Sequence, residues 1–133
     1  MPSLANITVK KNDGTTDIVY TGVVPSSGDS VAAVWKSKTV GSAPAHQPEL
    51  RLVARDSGDK KKRVMRLTFL YPSTQTDSTT GRTTVVNKGF AQLDVTYDTD
   101  MPTTDTDEFV SQLTNLVDSS LIISCLKDGY SAT

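Results

Sequence analysis

The sequence predicts an α+β fold, with an N-terminal β-hairpin, an antiparallel meander sheet of about five strands and two C-terminal helices. Two observations lead to this prediction. Apolar and polar residues alternate through much of residues 5–98, which is the periodicity of half-buried strands. After residue 104 the apolar residues recur every three or four positions, which indicates helices. Strands followed by helices are typical of an antiparallel sheet with helices on one face.

The hairpin is predicted over about residues 5–22. Residues 6–10 and 17–21 have strand character, and Asn12-Asp13-Gly14 lies between them. Asn, Asp and Gly favour tight turns, so these two segments should pair.

The sheet is predicted over about residues 31–98. Its first strands are predicted at 31–36, 49–55 and 62–70, with loops at 25–29, 41–48 and 56–59. The second and third of these strands should form a hairpin. Arg51 and Arg55 share one face of the second strand, and Lys62 and Arg66 share one face of the third. The two basic faces should therefore coincide.

The second half of the sheet contains a proline, a polar segment and a glycine. Pro72 should end its strand, because proline cannot donate to a β-ladder. Residues 73–82 are rich in Ser, Thr, Gln and Asp and predict a long polar loop. Gly89 lies between strand segments 83–88 and 90–97, and it predicts a bulge or a close approach of another part of the chain at that point. In the last segment the residues predicted to face the core are Ala91, Leu93, Val95 and Tyr97.

The helices are predicted over about residues 105–128. Asp105, followed three residues later by Glu108, resembles a capping box. Ser119-Ser120 interrupts the helical pattern, and Gly129 should end the second helix. The apolar face of the first helix is predicted to contain Phe109, Leu113, Leu116 and Val117. Two short helices cannot cover about five strands, so a partner chain is predicted to supply the remaining cover.

Composition limits the class of protein. The chain has 133 residues and is expected to form one domain. No secretory or membrane-spanning segment is predicted, so a cytoplasmic origin is expected. The single Cys125 lies in an apolar run and is predicted to be buried, while the single His46 lies in a Pro-rich loop. No catalytic grouping, metal spacing or cofactor motif is present, and an enzyme is not expected.

Charge is strongly segregated although the net charge is only −1. Residues 35–66 contain nine basic and three acidic residues, a balance of +6. Residues 94–128 contain eight acidic residues and one basic residue, a balance of −7. This distribution predicts that the middle of the chain faces a polyanion.

The chain resembles the coat proteins of small single-stranded RNA phages in the order and spacing of its segments. The segments that carry the resemblance are 50–57, 62–72, 88–92, 107–110 and 121–123. The resemblance implies an obligate homodimer whose sheets join edge to edge, with each chain's helices packed on the partner's sheet. It further implies an icosahedral shell, assembled in the bacterial host cytoplasm and found in the virion. The loop at 72–82 would then meet its copies at symmetry axes.

The resemblance also implies that the face opposite the helices binds single-stranded genomic RNA, including a stem-loop operator that represses translation. By strand alignment the implied RNA-binding residues are Arg51, Val53, Arg55, Lys62, Arg66, Thr68, Phe90 and Gln92. Their chemistry suits this role, since Arg and Lys neutralise phosphates and an aromatic ring stacks on an unpaired base. The basic run 60–63 is interpreted as a phosphate-binding tip.

Two other classes of protein remain open at this point. One is a non-viral dimeric RNA-binding module, although such modules usually carry several aromatic residues on the binding face. The other is a structural subunit that binds no RNA, which the basic face disfavours.

Overall fold

A computed structural model describes residues 2–39, 41 and 43–133. Met1, Val40 and Ser42 lie outside the described residues, so the predicted 41–48 loop is described only in part. The chain divides into two units, residues 1–96 and 97–133, and each is described by itself. The expectation of a single domain stays a prediction.

Residues 7–98 contain a six-stranded sheet in which each strand pairs with the next along the chain. The strands are β1 Ile7–Lys10, β2 Asp17–Val24, β3 Ala33–Lys36, β4 Glu49–Asp56, β5 Lys62–Thr76 and β6 Thr83–Asp98. The antiparallel meander is confirmed, and the N-terminal hairpin belongs to the same sheet, which therefore has six strands rather than about five.

The turn between β1 and β2 is closed by a side chain, as its composition predicts. The Asp13 carboxylate accepts hydrogen bonds from the backbone N–H groups of Thr15 and Thr16, both at 2.9 Å, and from the Thr16 hydroxyl at 2.5 Å. Gly14 has φ +73°, a left-handed conformation that favours glycine. Lys10 and Asp17 form an ion pair at 2.5 Å where the two strands enter the turn.

The N-terminal segment lies over β2 and β3. Trp35 Nε1 donates to the Ala5 carbonyl at 2.8 Å, and Asn6 Oδ1 accepts from the Gly22 N–H at 3.2 Å. A Cβ at Gly22 would stand 2.7 Å from the Leu4 side chain. A larger residue at Gly22 would displace the Leu4 side chain, so glycine lets this segment dock closely.

Pro72 lies inside β5, so the prediction that it ends the strand is wrong. Glu49, the first residue of β4, pairs with Leu70. Beyond Leu70, β5 has no β4 residue opposite it. Proline is tolerated where β4 offers no ladder partner, and Pro72 itself is buried.

The predicted 73–82 loop is wrong over residues 73–76, which belong to β5, and correct over residues 77–82. β5 continues to Thr76 and β6 starts at Thr83, which leaves a six-residue turn. The Asp77 N–H donates to the Arg82 carbonyl at 2.9 Å, and the hydroxyls of Thr76 and Thr83 lie 2.9 Å apart. Threonine is β-branched and favours strands, so a composition typical of loops is here also compatible with a hairpin.

Gly89 lies within β6, which is one continuous strand. A Cβ at Gly89 would stand 3.7 Å from the Tyr71 carbonyl oxygen, an ordinary contact distance. The predicted close approach at Gly89 is therefore not needed, and the predicted bulge stays a prediction.

Few side chains are buried within the described part of the chain. Tyr20 and Val34 each keep 8% exposure. The Tyr20 and Phe69 rings meet edge to face with centroids 6.1 Å apart. Leu50, Leu52, Met65 and Leu67 are half-buried. The predicted apolar face exists, but Leu93 is still 36% exposed, so much of this face is open.

The second unit contains α1 Thr103–Val117 and α2 Ser120–Asp128. The predicted capping box is wrong, because α1 starts before Asp105 and its N-cap is Pro102. Asp105 instead lies in the first turn, where a negative charge favours the helix dipole. Gly129, at φ +78°, ends α2 as predicted, and its N–H donates to the Cys125 carbonyl at 2.9 Å.

Both helices have exposed apolar side chains and no buried residue. Leu116 is 64% exposed and Leu126 is 71% exposed. Cys125 is half-buried, so its predicted full burial is not seen in the single chain. No single helix of the described chain is long and apolar enough to cross a membrane; only α1 and α2 taken together, bent by 54°, pass that test by length and composition.

Candidate nucleic-acid interface

The predicted basic face is assembled by the pairing of β4 with β5. The cross-strand pairs on this face are Arg51 with Thr68, Val53 with Arg66, and Arg55 with Val64. Successive side chains of a strand alternate between faces, so this register brings the predicted residues of both strands to one side. Arg51, Arg55 and Arg66 are exposed, while Val53 and Thr68 are half-buried between them. The predicted coincidence of the two basic faces is confirmed.

Strand β6 continues the same face. Arg66 Nε donates to Asp94 Oδ1 at 2.7 Å across the β5–β6 ladder, and Gln92 Nε2 donates to Asp94 Oδ2 at 2.9 Å. Phe90 lies two residues before Gln92 and therefore shares its side of the strand. Its ring is 67% exposed, which leaves it open to stacking.

We define the basic face as the eight predicted residues together with the acids that bond to them. The predicted residues are Arg51, Val53 and Arg55 on β4, Lys62, Arg66 and Thr68 on β5, and Phe90 and Gln92 on β6. The acids are Glu49 and Asp94, which pair with Arg51 and Arg66 respectively. Within the described chain, Arg55 and Lys62 form no ion pair within 4.0 Å. Part of the positive charge is thus neutralised internally and part is available to a ligand.

The two acids of the basic face have different surroundings. Glu49 accepts from Arg51 and forms an ion pair with Lys36 at 3.2 Å, and its side chain is only 15% exposed. Burial alone would raise the pKa of Glu49, but the hydrogen bonds from Arg51 and Lys36 outweigh this effect and lower the pKa. Asp94 is exposed, and hydrogen bonds from Arg66 and then Gln92 lower its pKa. Both acids are therefore charged at neutral pH.

The basic turn 60–63 differs in part from the predicted phosphate-binding tip. Arg63 donates to both Asp29 oxygens, at 2.9 and 3.1 Å, and to Asp56 Oδ1 at 2.9 Å. These bonds hold the loop that precedes β3 against the β4–β5 turn and raise the pKa of Arg63. Arg63 is therefore structural, and any phosphate contact at this turn falls to its lysines.

The solved structures that this chain resembles include subunits of phage capsids and virus-like particles. The chain superposes on a virus-like particle subunit of Beihai levi-like virus 21 with a TM-score of 0.82 at 19% identity, covering 99% of both chains. It superposes on the bacteriophage GA capsid protein with a TM-score of 0.75 at 20% identity, covering 96% of both chains. The chain has the levivirus coat-protein fold.

A third coat-protein structure extends the same likeness. The virus-like particle subunit of bacteriophage ESE058 gives a TM-score of 0.83 at 13% identity, covering 99% of this chain and 100% of that one. No family model and no curated protein sequence matches this chain. At such low identity the likeness establishes the fold, and function has to be argued from the residues.

Within this coat-protein fold, sequence reasoning missed the two acids of the basic face and one further cation. Asp94 alternates with the predicted core-facing residues Leu93 and Val95, so its side of β6 was available from the pattern, but its bond to Arg66 depends on the β5–β6 register, which the pattern does not reveal. Glu49 alternates with Arg51 on β4, so its position was available from the pattern. Lys88 shares the exposed side of β6 with Phe90 by the same alternation and belongs beside the basic face.

Proposed function

We propose that this chain is the coat subunit of a small RNA phage, that it acts as a homodimer, and that its dimers assemble into a shell around single-stranded RNA. The observation that carries the proposal is a sheet with one apolar face, one basic face and one long open edge. Each of these surfaces requires a different partner, namely a second chain's helices, an RNA and a second chain's strand.

The open edge supports the dimer. β6 is the last strand in the sheet order and has 16 residues, so one whole side of its backbone has no strand partner in the described chain. A long unprotected edge promotes uncontrolled association unless another strand covers it. Pairing β6 with the same strand of a second copy satisfies these backbone groups in a closed, symmetric way.

The amount of exposed surface supports an obligate assembly. The chain exposes 9730 Å² of accessible surface for a mass of 14.3 kDa. A single-copy protein of this mass exposes about 6,800 Å². The excess of about 2,900 Å² per chain is large enough for an obligate interface, since such interfaces bury about 2,000–5,000 Å² in total. We propose that the partner's helices cover the open apolar face of the sheet.

The basic face supports the RNA partner. Arg55 and Lys62 offer charge to phosphates, and Phe90 offers a ring to an unpaired base. Thr68 and Gln92 add hydrogen-bonding groups between them. Recognition of a stem-loop and repression of translation are part of the proposal; Phe90 supplies the stacking surface for it without a phenolic hydroxyl. The role is structural, with the virion as the site of action and the host cytoplasm as the site of assembly.

Particle mass tests the proposal. The recombinant protein is passed through size exclusion with light scattering, absorbance is read at 260 and 280 nm, and a sample is treated with nuclease. We expect a megadalton particle that contains nuclease-resistant RNA. A dimer that binds RNA without forming a particle would favour the non-viral RNA-binding module. A monomer without RNA would contradict both functions.

A further inference from the structure

Asp94 is an exposed carboxylate in the middle of the surface proposed to bind RNA. Glu49, the other acid of the basic face, is largely buried and bridges Lys36 and Arg51, which suits a structural role. Asp94 is open to solvent, with 43% of its side chain exposed, and its partner Arg66 is 53% exposed. An exposed ion pair of this kind contributes little to stability, so stability alone does not explain its position.

Both oxygens of Asp94 are engaged by groups that were predicted to contact RNA. Oδ1 accepts from Arg66 Nε at 2.7 Å, and Oδ2 accepts from Gln92 Nε2 at 2.9 Å. Arg55 also lies close enough to lower the pKa of Asp94. Three proposed RNA-binding side chains thus surround a single anion of the chain itself.

We infer that Asp94 is a built-in competitor of RNA: in the RNA-free chain its carboxylate occupies the donors of Arg66 and Gln92 that a phosphate group of RNA takes. This inference rests on the proposed function and adds how that surface is regulated. A phosphate, like this carboxylate, has two anionic oxygens, so it can accept one hydrogen bond from Arg66 and one from Gln92 in place of Asp94.

The competitor has a consequence for selectivity. Every RNA must release Arg66 and Gln92 from Asp94 before its phosphate can bind there. An RNA that offers only phosphates gains little beyond this exchange, whereas an RNA that also stacks a base on Phe90 gains a further contact. Asp94 therefore weakens binding of arbitrary RNA more than binding of an RNA that fits the whole face.

The test compares Asp94→Asn with Asp17→Asn. Asp17 is a matched control, because it is an exposed carboxylate in an ion pair with Lys10, at 53% side-chain exposure, three strands away from β5. The probe is a fluorescent 20-nucleotide oligouridylate, titrated with the subunit fraction from size exclusion over a range of salt concentrations. Circular dichroism melting of both variants checks that they fold.

We expect Asp94→Asn to bind the probe about two- to fivefold more tightly, the effect of losing one exposed ion pair. Its plot of log affinity against log salt should steepen by about 0.7, the value for one added phosphate contact on a single strand. Asp17→Asn should leave both quantities unchanged. A gain in probe binding that appears only in Asp94→Asn would support the role of Asp94 as a competitor. This holds even if the wild type binds no probe.

Other outcomes overturn the inference. Unchanged affinity in Asp94→Asn would show that Asp94 does not compete. Weaker binding would show that Asp94 positions Arg66 for RNA. An equal gain in both variants would attribute the effect to net charge. If the wild type and both variants bind no probe, the proposed RNA-binding function fails together with the inference; if the wild type binds and Asp94→Asn does not differ, only the inference fails.

Discussion

The two edge strands of the sheet, β1 and β6, differ in length and in their exposed side chains. The difference indicates which edge is suited to pair with another chain. β1 is four residues long, and its hairpin ends in a turn closed by Asp13 and an ion pair between Lys10 and Asp17. β6 is 16 residues long and exposes Val86, Phe90 and Leu93. Short, charged edges resist pairing with other chains, whereas long apolar edges invite it. We therefore propose that the β1 edge is protected and that the β6 edge is the dimer interface.

The largest expected effect comes from a charge at the β6 edge. Leu93→Lys places an ammonium group on the apolar side of β6, which the proposed dimer buries. An unpaired buried charge costs roughly 3–5 kcal/mol, so dimers and particles should be lost. Light scattering after size exclusion measures the change. Val19→Lys, at a similar exposure of 42% and next to the short edge, should still assemble; loss of particles in both variants would contradict the distinction between edges.

The second effect concerns the basic face beside β6. Arg55→Ala combined with Arg66→Ala removes two cations of this face, and RNA packaging should fall while dimers persist. The salt dependence of single-stranded RNA binding should weaken by about 1.4 in log–log slope, for two lost phosphate contacts. The ratio of absorbance at 260 and 280 nm in purified particles reports packaging. The control, Lys10→Ala combined with Arg82→Ala, removes the same charge outside the basic face. An equal loss of RNA in this control would show that the basic face is not the specific RNA surface.

A smaller effect is expected at the aromatic ring of β6. Phe90→Ala should weaken binding of a stem-loop or single-stranded RNA by about 1–3 kcal/mol, because a stacked base loses its ring partner. Phe90→Tyr keeps the ring and should keep the affinity. Fluorescence anisotropy with labelled RNA measures both. Unchanged affinity in Phe90→Ala would show that Phe90 does not stack on an RNA base.

The smallest effect is expected at the protected edge, in the Asp13 turn. Hydrogen bonds from the Thr16 hydroxyl and from the amides of Thr16 and Thr15 lower the pKa of Asp13 to about 2, from an ordinary 3.8. A lowered folded-state pKa means that the stabilisation is present above pH 3.8 and is lost as the pH falls through about 2. The melting temperature of the wild type should therefore fall between pH 4 and pH 2 by slightly more than that of Asp13→Asn. Identical pH profiles would show that this turn does not contribute.

The alternation of apolar and polar residues was sufficient to predict the strands that bury one face. Glu49–Arg55 and Lys62–Leu70 were predicted as strands because burial on one side forces alternation, and the shared basic face followed from their proximity. The order of a hairpin, a meander and two helices also followed from the change of period near residue 104. The same pattern does not say what covers the exposed apolar residues, which in the proposed dimer depends on a second chain.

Long-range pairing explains the errors. Pro72 did not end β5 because β4 begins opposite Leu70 and offers Pro72 no ladder partner. This depends on a distant strand and cannot be read from the proline itself. The loop predicted at 73–82 is confined to 77–82, because β5 continues to Thr76, which faces Thr83 across a hairpin. The bond between Arg66 and Asp94 depends on the register of β5 with β6, so this bond was seen only in the structure.

The central claim is that the β6 edge joins two chains and that the basic face meets RNA. An electron cryo-microscopy reconstruction of the purified particle tests both parts directly. The account predicts a closed shell in which the β6 strands of two copies pair across a two-fold axis and Arg55 and Phe90 face internal RNA density. A shell in which β6 is unpaired, or in which the basic face points outward, would contradict it.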